Sequence, residues 1–329
     1  MKIWERYGIF FLFLVILGAF ALMIPRIVSP NNLLNILVQS SIVSIAAAGM
    51  TLAITSGGFD LSVGAIYALV SCVLGKVIPV VGLTLGVFTA LMVSMICGVF
   101  NGLIITKLRV QTFVATLATM IIFRGVAFIY TGGRDVELYG LPAIKVFTTG
   151  RFLGLPVPLL MTLIVFALVY FLYRHTPLGL HIRAIGSNEP AAVTSGIRVD
   201  RIKIAVFVFT AITACFSGLI GTAQLLTGNG RLGTDLALQA IAAVILGGTS
   251  LAGGRGRLLG TLVASILLAT IGNGLNLLGV SAAYQDLSTG IILIVALAVE
   301  GLRQILGRRE SFSAKAVAGI KSQEASDAQ

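Results

Sequence analysis

The stretch that decides how this chain is organised is polar, and it separates two long apolar runs. It reads Arg183-Ala184-Ile185-Gly186-Ser187-Asn188-Glu189-Pro190-Ala191-Ala192-Val193-Thr194-Ser195-Gly196-Ile197. Ser187 or Asn188 can cap a helix, because a short polar side chain accepts a hydrogen bond from a free N–H of the first turn. Glu189 and Pro190 suit that turn, since a carboxylate and a missing N–H are both favourable there. The stretch therefore predicts the start of a short helix.

The predicted helix has one or two turns. Ala191 and Ala192 favour its continuation, and Gly196 favours its end. A helix this short is marginal alone, so we expect it to need a partner surface. Two interpretations stay open here: a solvated connector, or a docking element for a cytosolic protein.

The composition is that of a membrane protein. Apolar residues make up 57% of the chain and charged residues 11%, against roughly one quarter charged in soluble domains. Several uncharged runs reach the roughly 18 to 20 residues that a helix needs to cross hydrocarbon: 27–59, 77–106, 152–173, 204–230, 236–254 and 258–285. The alternating pattern of a β-barrel is absent. The fold class is therefore all-α, a polytopic bundle of transmembrane helices.

We predict about ten spans, within a transmembrane domain at 1–306. They are 8–24, 33–54, 61–79, 84–106, 112–131, 157–173, 204–226, 236–251, 258–278 and 287–306. The polar segment 307–329 is expected to be a disordered tail. The three cysteines, Cys72, Cys97 and Cys215, fall inside apolar runs and are expected to be small buried hydrophobes.

The basic residues fix the predicted orientation. With a cytosolic N-terminus, 16 of the 23 basic residues lie on the cytosolic side, the distribution that the positive-inside rule describes. This places both termini and the loop 174–203 in the cytosol, and 132–156 outside. The same rule accounts for the net charge of +11 better than nucleic-acid binding does, because the basic residues lie beside apolar segments.

A second informative stretch, Thr55 to Gly64, connects the second and third predicted spans. It reads Thr55-Ser56-Gly57-Gly58-Phe59-Asp60-Leu61-Ser62-Val63-Gly64. Paired glycines permit backbone shapes that other residues resist, and Asp60 can cap the next helix. One interpretation is a tight turn with a capping carboxylate. The other is an interrupted helix beside a translocation path, where irregular backbone can line a cavity.

Three further patterns concern helix packing. Asn273 and Asn276 share a helix face, where they serve either as interhelical hydrogen-bonding groups or as amides facing a polar passage. Glycine pairs four residues apart predict close helix contacts: Gly82 and Gly86, Gly98 and Gly102, and Gly256 and Gly260. A shift of 196 residues aligns Gly57-Gly58 with Gly253-Gly254 and Gly64 with Gly260, which suggests an internal repeat, a common feature of transporters.

The sequence offers no catalytic or metal site. It has no P-loop of its own. The Gly-x-Gly-x-x-Gly match at 228–233 follows an apolar helix on the outer side, so we reject dinucleotide binding. His175 and His181 have no plausible metal partners. No nucleophile, base and orienting group converge, so the chain is predicted not to be an enzyme.

The chain resembles the permease subunits of bacterial monosaccharide ABC importers, within the larger group of ribose and branched-chain amino-acid permeases. Gly57 to Gly64 is similar to that family's glycine-rich signature, with Phe59 in place of the usual isoleucine. The stretch Arg183 to Ile197 is similar to its cytosolic coupling loop, and 253–256, 260–261 and 273–279 also resemble it. The resemblance covers about residues 8–306.

The resemblance implies a non-enzymatic pore in the bacterial inner membrane. A second permease copy or paralogue, a cytosolic ATP-binding cassette subunit and a periplasmic sugar-binding protein are its implied partners. This chain would bind no cofactor itself, and ATP and Mg²⁺ would lie on the partner subunit. Implied contacts with the ATPase subunit are Gly186, Asn188, Glu189, Ala191, Ala192, Ser195 and Gly196. Candidates for the translocation path are Gly57, Gly58, Asp60, Asn273 and Asn276.

Other functions stay open. A related ABC importer for branched-chain amino acids, or for a sugar-like signal molecule, is the nearer alternative. A secondary transporter or channel is more remote, because ionisable residues deep in the spans are almost absent.

Overall fold

The computed structural model describes residues 2–281, 283–285, 287–292, 294–295 and 298, and it is dominated by helices. The helices are α1 Lys2–Met23, α2 Pro30–Thr55, α3 Val63–Lys107, α4 Thr112–Thr131, α5 Pro142–Lys145, α6 Val157–His175, α7 Pro177–Ser187, α8 Glu189–Thr194, α9 Val199–Leu225, α10 Leu236–Leu246 and α11 Leu258–Leu277, with a 3₁₀ turn at Pro25–Val28. The strands are β1 Val136–Glu137, β2 Arg151–Phe152, β3 Leu155–Pro156 and β4 Thr227–Gly228.

Six of these helices are long and apolar enough to cross a membrane: α2, α3, α4, α6, α9 and α11. Two shorter apolar helices, Gly8–Met23 and Leu236–Leu246, accompany them. The all-α, polytopic fold class is therefore confirmed. The count of ten crossings and the cytosolic termini stay predictions. The tenth span, 287–306, extends beyond the described residues, and the tail 307–329 lies outside them.

Helix α3 is a hairpin of two arms. Gly82 has φ 82° and ψ 172°, which no helix accommodates. A Cβ on Gly86 would lie 2.6 Å from Cγ1 of Ile78, so the chain has folded back on itself. The C-terminal end of α3 also lies beside its N-terminal end, because Asn101 Nδ2 donates a hydrogen bond to Ser62 Oγ at 2.7 Å. The two arms correspond to the predicted spans 61–79 and 84–106. Gly82 itself makes the reversal, whereas it was predicted to lie in a contact between helices.

Helix α9 packs against both α2 and α3 and forms the centre of the bundle. Cβ atoms built on Gly98 and Gly102 of α3 would lie 2.7 Å from Phe207 O and from Ile204 Cα, respectively. Only glycine lets the two backbones approach this closely. The close contact predicted for this glycine pair is confirmed.

Helix α10 ends at Leu246, so the predicted span 236–251 is too long at its C-terminal end. Gly248 has φ 86°, the left-handed conformation that favours glycine and terminates helices. The residues from 247 to 257 then form a turn that leads into α11. Its Gly256, predicted to lie in a helix contact with Gly260, precedes the helix instead.

The outer loop 132–156 is anchored to the connection between α9 and α10. Strands β1 and β4 pair antiparallel, with Val136 opposite Gly228. Beside them, Asn229 Nδ2 donates to Asp135 Oδ1 at 2.6 Å. This end of the bundle is opposite the loop 174–203, which lies at the other end of α6 and α9.

Candidate functional site

The loop 174–203 forms the predicted short helix, with the predicted cap. Helix α8 spans Glu189–Thr194, and Asn188 Oδ1 accepts a hydrogen bond from Ala191 N at 3.1 Å. Gly196 follows with φ 81°, so it ends the helix as the sequence predicts. Glu189, Ala191 and Ser195 are exposed, as are Asn188 and Gly196.

Helix α8 is held by its own loop, which corrects the expectation that it needs a partner surface to form. Ala192 is buried and packs with Ile185 of α7 and Val199 of α9 in a small separate core. Ala192 therefore faces the inside of the loop, and Ala191 faces outward. The two alanines, which the sequence treated alike, have different environments.

Two ion pairs tie this region to α9. Lys203 Nζ lies 2.8 Å from both carboxylate oxygens of Glu189, and Lys107 Nζ lies 3.2 Å from Asp200 Oδ2. Each pair is partly or largely exposed, so each contributes at most about 1 kcal/mol. Their effect is to orient α8 and the end of α3 against the first turns of α9.

A cavity of about 520 Å³ lies between α8 and the connection from α3 to α4. Val193 and Val199 form one wall, and Val110 and Arg109 lie on the other. Arg109 has φ 54°, a left-handed conformation that is uncommon outside glycine. The docking helix predicted from sequence thus borders a concave surface of mixed character, because Glu189, Asp200 and Lys203 line it together with the valines.

A cluster of glycines joins the loop to the rest of the bundle; we call Gly57, Gly186, Gly253 and Gly254 the glycine junction. A Cβ on Gly186 would overlap the carbonyl oxygen of Thr55 and would lie 2.5 Å from Gly254 N. Gly254 N donates to Thr55 O at 2.8 Å. The junction therefore joins the end of α7, the end of α2 and the turn before α11.

Three of the four glycines in the two Gly-Gly pairs that the 196-residue shift aligns lie at this junction, whereas Gly58 lies against Thr112. Gly57 and Gly253, which are equivalent under the shift, have φ values of 86° and 83°. Each occupies a turn between two consecutive helices, and each lies against Gly186. The shared backbone conformation and the shared neighbour agree with the suggested repeat.

Asp60 is fully buried between α2, α3 and α9. Its Oδ1 accepts hydrogen bonds from Ser62 N at 3.0 Å and Ser62 Oγ at 2.6 Å, and its Oδ2 accepts one from Thr210 Oγ1. Burial raises the pKa of Asp60, and the hydrogen bonds from Ser62 and Thr210 act in the opposite direction. The carboxylate thus fixes a turn and links that turn to α9, but it does not cap α3, whose N-cap residue is Ser62.

The two asparagines lie far from Asp60. Asn273 Oδ1 accepts from Asn32 Nδ2 at 2.9 Å, which joins α11 to the start of α2, and Asn276 is exposed. Asn273 is 15 residues beyond the start of α11, about 22 Å along the helix. The contact between Asn273 and Asn32 is thus a hydrogen bond between two helices, the first of the two interpretations offered for Asn273. The structure does not bring the five translocation candidates together, and their role stays a prediction.

Sequence reasoning missed helix α7. Thr176 Oγ1 accepts from Gly179 N at 3.5 Å, and Pro177 occupies the first turn, so the signal of a capping residue followed by proline was present. It also missed Tyr173, whose hydroxyl accepts from Gly256 N at 2.8 Å. The guanidinium of Arg183 lies 5.1 Å from the centre of the Tyr173 ring. Nothing in the local sequence distinguishes this tyrosine.

Comparison with known families identifies the group to which these features belong. A family profile described as "Branched-chain amino acid transport system / permease component" matches residues 32–297. The chain belongs to this permease family. The family resemblance drawn from the glycine-rich signature and the loop is thereby confirmed.

Several curated relatives match over nearly the whole chain. The ribose import permease protein of Escherichia coli K12 is 41% identical over 300 residues, covering 88% of this chain and 92% of the relative. The ribose import permease protein of Bacillus subtilis 168 is 40% identical, covering 91% and 92%. The D-allose transport system permease protein of E. coli K12 is 33% identical, with coverage of 91% and 92%. No solved structure matches the chain.

Proposed function

We propose that this chain is the membrane-spanning permease subunit of an ATP-binding cassette importer that carries a monosaccharide, a ribose-like pentose or a hexose. Its relatives in the family are permeases for ribose and allose, at identities of 33 to 41%. An arabinose permease of Azospirillum brasilense is 31% identical and covers 92% of this chain. These relatives favour a sugar over the branched-chain amino acids of the family's description.

We propose that α8 couples this chain to its ATPase subunit. The observation that supports this role is the exposed face of α8. The loop's own core holds the helix in place through Ala192, so Ala191 and Val193 can face a partner without the helix unfolding. The adjoining cavity gives a partner a concave surface to engage. Because the chain has no P-loop, the free energy for transport has to come from a partner ATPase.

The proposed assembly has four kinds of component. Two permease chains, either identical or paralogous, form the pore in the bacterial inner membrane. A cytosolic ATP-binding subunit, which carries ATP and Mg²⁺, contacts α8. A periplasmic protein delivers the sugar at the opposite end. Closure of the ATP-binding subunits displaces α8, and the bundle alternates between outward- and inward-open states.

The docking role is tested with Ala191→Trp, since Ala191 is exposed on α8. We expect this variant to insert normally but to lose co-purification of its ATP-binding subunit and sugar-stimulated ATP hydrolysis in reconstituted vesicles. The matched control is Ala143→Trp, an exposed alanine on the short helix α5 in the outer loop. The control should retain association.

The outcome that contradicts the docking role is equal association of both variants with the ATP-binding subunit. Sugar specificity needs a separate measurement. Uptake of labelled ribose, allose, arabinose and leucine by cells that express the complete importer identifies the substrate class. Uptake of leucine alone would favour the amino-acid alternative.

A further inference from the structure

We infer that Gly186 is the positioning residue through which the movement of α8 reaches both halves of the transmembrane bundle at once. The inference rests on the proposed function, because it assigns a path to the force that the ATP-binding subunit applies. It separates two tasks within the loop 174–203. The exposed face of α8 binds the partner, and the glycine junction transmits the displacement.

The contacts at Gly186 are made by backbone atoms from two distant parts of the chain. On one side lies the end of α2, with the carbonyl of Thr55. On the other lies the turn before α11, with Gly253 and Gly254. A Cβ on Gly253 would lie 2.6 Å from Gly186 O, so the turn before α11 has no space for an additional methyl group, and a Cβ on Gly186 would overlap Thr55 O at the end of α2.

The end of α7, the end of α2 and the turn before α11 are therefore in direct contact at Gly186. Closely packed protein interiors are nearly incompressible, so a displacement of one segment is passed on to its neighbours. The hydrogen bond from Gly254 N to Thr55 O, at 2.8 Å, holds the two turns together. A second contact, from Gly256 N to Tyr173 Oη at 2.8 Å, joins the same turn to the end of α6.

The consequence is that α2 and α11 move with α7 as a single body. These two helices lie in opposite halves of the repeat that the 196-residue shift suggests, and they also pack on each other. A movement delivered at Gly186 therefore acts on both halves together. If the displacement of α8 were instead passed on only through α9, it would first move the centre of the bundle.

The first test is Gly186→Ala, since its Cβ would force the junction apart. We expect sugar transported per ATP hydrolysed to fall by about tenfold. This ratio is measured on the assembled complex, so it does not depend on how much ATP-binding subunit the variant retains. The control is Gly125→Ala in α4, where nothing lies within 4 Å of the added Cβ. A Gly186→Ala variant with the wild-type ratio of transport to hydrolysis would overturn the inference.

The second test is a cross-link, which decides the question even if Gly186→Ala does not fold. The Cβ built on Gly254 lies 3.2 Å from Ser187 Cβ, which is slightly below the about 3.5–4.5 Å found in disulfides, so a shift of a few tenths of an ångström allows the bond. In a background without Cys72, Cys97 and Cys215, oxidation of Ser187→Cys/Gly254→Cys should leave transport unchanged, because the joined segments move together. The reduced pair and the single Gly254→Cys variant control for strain.

Block of transport on oxidation would show that the segments slide past each other, and it would overturn the inference. These outcomes differ from failure of the proposed function. In that case the wild-type chain would not associate with an ATP-binding subunit, and no variant would change a ratio of transport to hydrolysis.

Discussion

Asp60 illustrates how a single residue combines a local and a long-range role in this permease. Its carboxylate accepts from Ser62 within its own turn and from Thr210 on α9. Asn101 extends the network by donating to Ser62 Oγ. The residue therefore fixes the glycine-rich turn against two helices, which a simple helix cap would not do.

Replacement of Asp60 by asparagine separates charge from hydrogen bonding. The amide oxygen can accept from Ser62, and the amide nitrogen can donate to Thr210 Oγ1, so we expect a change in unfolding free energy within about 1 kcal/mol. We expect uptake nevertheless to fall strongly, because the charge is lost. The measurements are thermal unfolding in detergent and uptake in vesicles. Full uptake by a well-expressed Asp60→Asn variant would leave only the structural role.

Gly98 gives a residue-scale test of the contact between α3 and α9. In Gly98→Ala, the new Cβ would lie 2.7 Å from Phe207 O and from Val208 Cα. Overpacking of this kind costs about 1–3 kcal/mol, so we expect a lower unfolding temperature in detergent. Gly125→Ala is the control, with open space around its Cβ. Equal unfolding temperatures would show that α3 and α9 separate easily.

At the scale of the element, helix α8 is stabilised from within the loop rather than by its own length. Six residues are too few for a stable isolated helix, and the cap at Asn188 alone does not compensate. Burial of Ala192 between Ile185 and Val199 supplies the missing packing. The packing that holds this element therefore comes from the chain itself.

Two alanine positions are expected to respond differently because of this packing. Ala192→Glu places a carboxylate in the small core of the loop, which should destabilise the loop by about 3 kcal/mol or more. We expect rapid cleavage within 176–198 in limited proteolysis. Ala191→Trp, on the exposed face, should leave the cleavage rate unchanged. Equal proteolytic resistance of both variants would contradict the orientation of α8.

At the scale of the whole molecule, the bundle has two chemically distinct ends. One end carries the basic loop 174–203 and the glycine junction. The other carries the outer loop 132–156, anchored by the pairing of β1 with β4. The positive-inside rule predicts that the first end is cytosolic.

Cysteine labelling with an impermeant reagent tests this orientation. On a background without Cys72, Cys97 and Cys215, a cysteine at position 135 should react from outside intact cells, and one at position 189 should not. Both positions are exposed in the structure, so access depends on the side of the membrane. After permeabilisation, position 189 should react as well. The reverse pattern would invert the topology.

The sequence by itself determined the fold class and the local shape of the two informative stretches. Long uncharged runs require helices in lipid, since backbone groups there must be paired internally. The α8 cap at Asn188 and the close contact at Gly98 and Gly102 depend on near neighbours or on residue size, so both were predictable. The break between the two arms of α3 was also predicted, since the spans 61–79 and 84–106 leave Gly82 between them. The early end of α10 was not predicted, because Gly247 and Gly248 could equally have stayed helical.

Only the tertiary structure decided which residues meet. Gly57, Gly186 and Gly253 are separated by more than sixty residues along the chain, and no local pattern indicates that they touch. The inward direction of Ala192 depends on Ile185 and Val199, which lie on other helices. Asn273, grouped with Asp60 from sequence, is placed at the opposite end by the length of α11. Local propensity acts between near neighbours, whereas these contacts are set by the packing of whole helices.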